Sequence, residues 1–403
     1  MFHVTYIVTD PMTVKIYLKP QLQALINRHW RVSVICGGDK TLLPAPEELQ
    51  GVALYHVPMR REIDPISDSL VLLQLFFLLV RLRPTIVNAG TPKAGLLGMV
   101  ASRMAHIPLR IYQLHGLRLE TATGWRRRLF LMTEQSACWC SHKVLCVSKS
   151  LKDKVVELGV CKSEKITVLG SGSCAGIHLA DYAPTPERLA AASGLKHSLG
   201  IPPDAPVVGF VGRLTKDKGI VELLDAFALI RQKLCGAYLL LIGPFEKGDP
   251  IPGYARRKIK EDLYIRHIEW TEDPRPYLHL MDVLVLPTYR EGLAGVLLEA
   301  AATETPIVST RATGVIDVVV NEYTGLISSI GDVHSIAQNV LKVLLDHALA
   351  RELSRRALRK EEAEFSRHEV LQQLEWFYKD SLFHCGASGP MDNCRMRNTL
   401  KDN

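Results

Sequence analysis

Short, β-branched apolar runs alternate along the chain with longer stretches in which apolar positions recur every three to four residues. Strands buried on both faces read as unbroken apolar runs and crossover helices read with a 3.6-residue period, so the alternation predicts βαβ units on parallel sheets. In the first half it predicts strands at His3–Thr9, Arg31–Gly37, Val52–Val57, Thr85–Ala89, Leu109–Leu114, Lys143–Val147 and Lys165–Leu169. Helices are predicted between them at Val14–His29, Ser67–Leu82, Lys93–Ala105, Gly124–Cys140 and Ser150–Leu158, each long enough for a right-handed crossover.

From Asp181 the pattern weakens into Ala-, Pro- and Ser-rich sequence that ends at Pro206 and reads as a linker. A second series follows, with strands at Val207–Val211, Tyr238–Ile242, Ile265–Trp270, Val283–Pro287, Ile307–Ser309 and Gly325–Ile327. Its helices fall near Gly219–Leu234, Arg256–Leu263, Val296–Thr303 and Val333–Asp346. The fold class is therefore α/β, with two Rossmann-like, doubly wound domains over residues 1–180 and 200–368. The amphipathic run Val370–Leu382 predicts a last helix, at about 370–385, packed back on the first domain, and the polar tail 386–403 is expected to be poorly ordered. Two such halves imply a ligand crevice facing the carboxyl ends of their strands.

Composition narrows the class. The chain has 403 residues, 47% apolar and 23% charged, which suits a globular protein of two to three domains and excludes disorder or collagen. Lys and Arg exceed Asp and Glu by 49 to 42, an excess that suits phosphorylated ligands or an anionic membrane and gives no reason to expect nucleic acid. The longest apolar stretch, Leu70–Val80, is interrupted by Gln74 and falls short of the roughly 20 residues a spanning helix needs. The first residues run straight into a strand pattern without a basic segment or cleavage site, so a cytoplasmic protein is expected. Nine cysteines at irregular spacing suggest reduced thiols, and no zinc or other metal site is expected.

A dinucleotide-binding dehydrogenase needs G-x-G-x-x-G between strand and helix; the nearest stretch, Gly170–Gly176, has one residue too many. A different chemistry is written at Val211-Gly212-Arg213-Leu214-Thr215-Lys216-Asp217-Lys218-Gly219. Gly212 lets a ligand approach the backbone, the following helix offers free N–H groups, and Arg213 and Lys218 add charge for a diphosphate, unless the segment is only a solvated loop. After the strand ending at Pro287 stands Thr288-Tyr289-Arg290-Glu291-Gly292-Leu293-Ala294-Gly295-Val296-Leu297-Leu298-Glu299. A carboxylate such as Glu299 in an apolar helix is costly unless its hydrogen bonds are met, by sugar hydroxyls or by a structural partner. Glu291 and Glu299, roughly 12 Å apart if helical, suit a sugar ring and a ribose, with the helix start at Gly292, Leu293 and Gly295 facing the diphosphate.

With those segments in place the chain resembles the family-4 retaining glycosyltransferases of the GT-B fold. The resemblance rests on Arg213 and Lys218 at the strand end, the E-x7-E element Glu291/Glu299, and Gly325. The segments Asn88–Gly98, His115-Gly116-Leu117-Arg118 and Val147-Ser148-Lys149-Ser150 resemble bacterial enzymes that build capsule, exopolysaccharide or O-antigen repeat units on lipid carriers. The resemblance implies transfer of a hexose or N-acetylhexosamine from a nucleotide diphosphate sugar, a UDP-sugar, to a saccharide on undecaprenyl diphosphate, without a cofactor. By the same resemblance Arg213 and Lys218 stabilise the leaving diphosphate, Glu291 holds the sugar, Glu299 holds the ribose, and His115 lines the sugar site from across the cleft. Acceptor contacts fall on Thr13, Lys93 and Arg118. A sugar-nucleotide epimerase or a phosphorylase of the same fold stays open, as does an inactive scaffold for a partner transferase.

Three stretches depart from the family pattern: Thr9–Thr13 replaces a glycine-rich turn, Ala294 stands where proline is common, and Ser173–His178 replaces a hinge with Asn and Asp. Arginines at 60, 61, 81, 83, 118 and 126–128, interleaved with Trp125, Leu129, Phe130 and Leu131, suit a site at the inner face of a membrane or an ordinary solvated helix face.

Overall fold

The computed structural model describes residues 1–60, 64–172, 175–246 and 248–385. The expected loose tail 386–403, and with it Arg61, Ser173 and Cys174, lies outside the described residues.

The apolar runs of the first half form strands β1 (His3–Val8), β2 (Arg31–Cys36), β3 (Val52–His56), β4 (Ile86–Gly90), β5 (Leu109–Leu114), β6 (Lys143–Cys146) and β7 (Ile166–Val168). They make one parallel sheet in the order β3-β2-β1-β4-β5-β6-β7. Those of the second half form β8 (Val207–Val211), β9 (Tyr238–Ile242), β10 (Ile265–Ile268), β11 (Val283–Leu286), β12 (Ile307–Thr310) and β13 (Leu326–Ser328), in the order β10-β9-β8-β11-β12-β13. In each lobe the strand order reverses beside the first strand. β1 pairs with β2 and β4, and β8 pairs with β9 and β11, so a crevice opens at the carboxyl ends of β1, β4, β8 and β11.

The first lobe carries α1 (Lys19–Asn27), α2 (Pro65–Leu82), α3 (Pro92–Met104), α4 (Gly124–Cys140) and α5 (Lys149–Glu157). The predicted helix Val14–His29 is instead a π-helical segment, Thr13–Leu18, running into α1. By length and composition α2 is long and apolar enough to cross a membrane, contrary to the sequence reading. Its buried face, Val71, Leu75 and Leu79, is nonetheless part of the lobe core.

The stretch read as a linker folds into α6 (Pro186–Ser198), started by Thr185, whose side chain accepts from the Arg188 N–H, and by Pro186. The second lobe then holds α7 (Ile220–Lys233), α8 (Gly253–Glu261), α9 (Arg275–Leu278), α10 (Gly295–Ala302), α11 (Val333–Leu345) and α12 (His347–Glu364). Helix α13 (Arg367–His384) returns to the first lobe. There Tyr378 hydrogen-bonds Tyr6 at 3.0 Å and accepts from Asn88 at 2.7 Å, while Trp30 donates to Glu375 at 3.3 Å. Where the chain recrosses, Ile177 and Arg367 join the two connections: the Ile177 N–H bonds Phe365 and the Arg367 N–H bonds Ile177, both at 2.9 Å. Gly176, at φ +61°, fits against Arg367 where a Cβ would collide with the backbone.

Candidate functional site

The candidate residues stand at strand carboxyl ends on the two sides of the crevice. His115 follows β5, Thr13 lies beyond β1, Gly212 to Lys218 follow β8, and Glu291 to Gly295 follow β11.

In the second lobe the adjacency of β8 and β11 brings their loops together. Gly219, at φ +71°, ends the first loop as the N-cap of α7, and a Cβ there would strike the Pro287 carbonyl at the end of β11. Lys218 thereby reaches Glu291 and donates to its carboxylate, their side chains 18% and 11% exposed. A second pair ties the same loops: Arg290 donates to Asp217 and, at 3.0 Å, to Thr121 of the first lobe. Arg213 does not join the Lys218–Glu291 cluster; it pairs with Glu246 beyond β9, because β8 has β9 on its other side. Asp217, Glu246 and Arg290 escaped the sequence reading, whose only signal for them was a place in the same strand-end loops.

Helix α10 begins at Gly295, one residue before the predicted Val296 and at the end of the Gly292–Gly295 stretch. Gly295 faces open space, whereas Gly292 is buried between the lobes: a Cβ there would collide with the His115 carbonyl. The Gly292 carbonyl accepts from Ser148 at 2.6 Å, and Leu293 packs against the cores of both lobes. Asp317 of the second lobe accepts from the backbone N–H groups of Lys149 and Ser150 at 2.9 and 3.0 Å, satisfying donors at the start of α5. The Thr313 hydroxyl donates to Glu120 at 2.7 Å. These contacts hold the Glu291–Gly295 loop against the first lobe. Asp317 had no distinctive sequence signal, whereas Ser148 stands in the Val147–Ser150 stretch on which the family resemblance partly rested.

His115 sits over Gly90, where a Cβ would touch its ring. Burial lowers its pKa to about 4, so the imidazole is neutral near pH 7. Glu299 projects from α10, eight residues beyond Glu291, and its pKa is raised to about 7 by burial. The Tyr182 hydroxyl hydrogen-bonds it, with Asp273 and Arg275 in its field.

The acceptor candidates follow three adjacent strands, β1, β4 and β5. Thr13 starts the π-helical segment after β1, Lys93 at the start of α3 pairs with Asp68 at 2.7 Å, and the exposed Arg118 stacks 5.2 Å from the Phe130 ring centroid. Arg126, Arg127 and Arg128 are exposed with Trp125, while Leu129, Phe130 and Leu131 are half-buried. Among the described residues no group of three or more His, Cys, Asp or Glu side chains is placed to hold a metal ion.

Solved structures share this architecture. An Anabaena protein, HepE, crystallised with UDP and glucose, superposes with a TM-score of 0.77 at 16% identity, covering 94% of this chain and all of that one. Sucrose-phosphate synthase from Thermosynechococcus elongatus gives a TM-score of 0.79 at 20% identity, over 96% of this chain and 100% of that one. The fold is GT-B. Residues 13–172 match the family described as glycosyl transferase 4-like domain, and 205–346 match glycosyl transferases group 1. A Staphylococcus aureus capsular polysaccharide biosynthesis glycosyltransferase, CapM, is 34% identical over 91% of this chain and 94% of its own. The chain belongs to this glycosyltransferase family. An Escherichia coli UDP-Gal:alpha-D-GlcNAc-diphosphoundecaprenol alpha-1,3-galactosyltransferase is 24% identical over 82% of this chain and 84% of its own.

Proposed function

We propose that the protein is a retaining glycosyltransferase that moves a hexose or N-acetylhexosamine from a UDP-sugar to a saccharide carried on undecaprenyl diphosphate. It builds surface polysaccharide at the inner face of the cytoplasmic membrane, without a metal. The observation that carries this reading is the meeting of Lys218 and Glu291 beside the open start of α10, with neutral His115 across the crevice. The names of the relatives support the lipid-linked acceptor and capsule assembly.

In this arrangement the donor diphosphate lies at the N-terminus of α10, where the helix dipole and the Lys218 ammonium offset the charge that grows as the glycosyl bond breaks. Arg213 swings from Glu246 to the same phosphates. Glu291 accepts from hydroxyls of the transferred sugar and Glu299 from the ribose. His115 offers an uncharged imidazole to the sugar from the first lobe. With no protein nucleophile invoked, retention follows from attack on the donor's own face, the leaving phosphate oxygens taking the acceptor proton.

A panel of nucleotide sugars screened by thermal unfolding tests the reading. The true donor stabilises by mass action, about 2.7 kcal/mol at a hundred times its Kd. Stabilisation by a UDP-sugar, followed by transfer to a diphospholipid saccharide with the anomeric configuration retained, is the expected result; stabilisation by no nucleotide sugar overturns it.

A further inference from the structure

Helix α2 is apolar on both faces. Val71, Leu75 and Leu79 are buried against the first lobe, while Ile66, Leu70, Leu73, Phe77 and Val80 point outward at steps of four and three residues, one continuous stripe. Ile66 is 79% exposed and Phe77 66%. A surface helix of a globular protein ordinarily turns polar side chains to water, yet the polar residues on this face are Ser69, Gln74 and Arg81 alone. Beyond α2 in the same helix layer, α3 exposes Met104 and α4 exposes Trp125, Met132 and Trp139, the last with the Arg103 guanidinium 3.9 Å from its ring centroid.

Charge names the occupant. Residues 65–140 contain nine Lys and Arg side chains and three carboxylates. All three carboxylates are engaged: Asp68 with Lys93, Glu120 with Thr313, and Glu134 with Tyr112 at 2.6 Å. Arg81, Arg83, Arg103 and Arg126 to Arg128 are exposed around the apolar stripe. A second copy docking face to face would set this basic rim against itself, whereas an anionic bilayer presents phosphates to the arginines and an apolar layer to the stripe.

We propose that α2, flanked by α4, seats the first lobe on an anionic phospholipid surface, the helix lying in the interface plane with its stripe at the acyl boundary. Its inner face stays in the lobe core, so the helix docks and does not span. The Asp68–Lys93 pair places the start of α2 beside the start of α3 at the crevice, so the stripe begins at the crevice mouth. A lipid-borne acceptor enters there. This deepens the proposed function by naming the surface that meets the membrane, and rests on it only for the acceptor.

The test is sedimentation of the full chain with vesicles of equal phosphatidylglycerol and phosphatidylcholine, and with phosphatidylcholine alone. The wild type is expected to partition onto the anionic vesicles. The triple variant Leu70→Ser, Leu73→Ser, Phe77→Ser is expected to lose at least about tenfold in partition while its melting temperature and UDP affinity are unchanged. The triple variant Arg126→Gln, Arg127→Gln, Arg128→Gln is expected to lose the preference for anionic vesicles. Equal partition of wild type and serine variant, no partition of the wild type, or a dimer in analytical ultracentrifugation that the serine variant dissolves would each overturn the proposal. Loss of UDP binding by calorimetry with vesicle binding intact counts against the proposed function and leaves the docking surface standing.

Discussion

Replacing Glu361 by glutamine probes a costly feature of the second lobe. Glu361, on α12, is 2% exposed, both of its carboxylate oxygens lack a hydrogen-bond partner, and it lines a cavity of about 10 Å³ with Leu298, Ala357 and Phe365. Burial, and then the neighbouring Glu299, raise its pKa to about 9, with Lys360 acting against them. The unfolded chain releases this proton near the ordinary value of 4.5, while the folded chain keeps it until about 9. Its contribution to stability is therefore fully present below about pH 4.5 and is lost as pH rises through that window, at up to about 1.4 kcal/mol per pH unit. Glutamine keeps the shape and carries no proton to lose. Glu299 titrates in both proteins and cancels in the difference. Between pH 6 and 8 the variant should gain about 2–3 kcal/mol on the wild type, or roughly 5–10 °C in melting temperature for a lobe of this size. Calorimetric melts at matched ionic strength read the difference directly. A gap between the two proteins that stays constant from pH 6 to 8 would show that Glu361 is ionised in the fold, and would refute the argument.

Glu299, with its pKa raised to about 7 by burial, should make UDP affinity rise between pH 6 and 8 as the carboxylate forms, and Glu299→Gln should flatten that dependence in calorimetric titrations. Glu291→Ala is expected to abolish transfer while largely sparing UDP binding, and Lys218→Ala to lower kcat by roughly 10²–10³, as for loss of one charge-stabilising donor; transfer by either variant at the wild-type rate removes these roles. Asp317→Ala strips acceptors from the Lys149 and Ser150 N–H groups, at about 1 kcal/mol for a lost cap, and should speed hydrogen exchange at those two amides without changing that of β8.

What could be read from the chain divides along physical lines. Central strands such as Val207–Val211 and Tyr238–Ile242 are buried on both faces, so their apolar runs announce them without help from neighbours. Helix α12 escaped because it is rich in Arg and Glu and buries only a narrow stripe, Ala350, Leu353, Ser354, Ala357 and Glu361. Helix α6 carried a start signal, Thr185-Pro186, that the weak apolar period around it concealed. The two strand-end segments that carry the candidate residues were legible one at a time, Gly212–Gly219 after β8 and Glu291–Glu299 after β11.

Pairings between segments required the strand order. Lys218 and Glu291 stand 73 positions apart and meet because β11 lies beside β8, and Arg213 turns to Glu246 because β9 lies on the other side. Contacts between lobes are one step further from any local pattern, since they depend on how the two lobes sit against each other. Gly292 shows the consequence. In the sequence it reads as part of the start of a ligand-binding helix, yet in the fold its missing side chain lets the loop after β11 lie against the His115 carbonyl, with Ser148 on its own carbonyl. The loop bearing Glu291 and the strand end bearing His115 are thus set by the same backbone contact, so seating the lobes also fixes where Glu291 and His115 stand across the crevice.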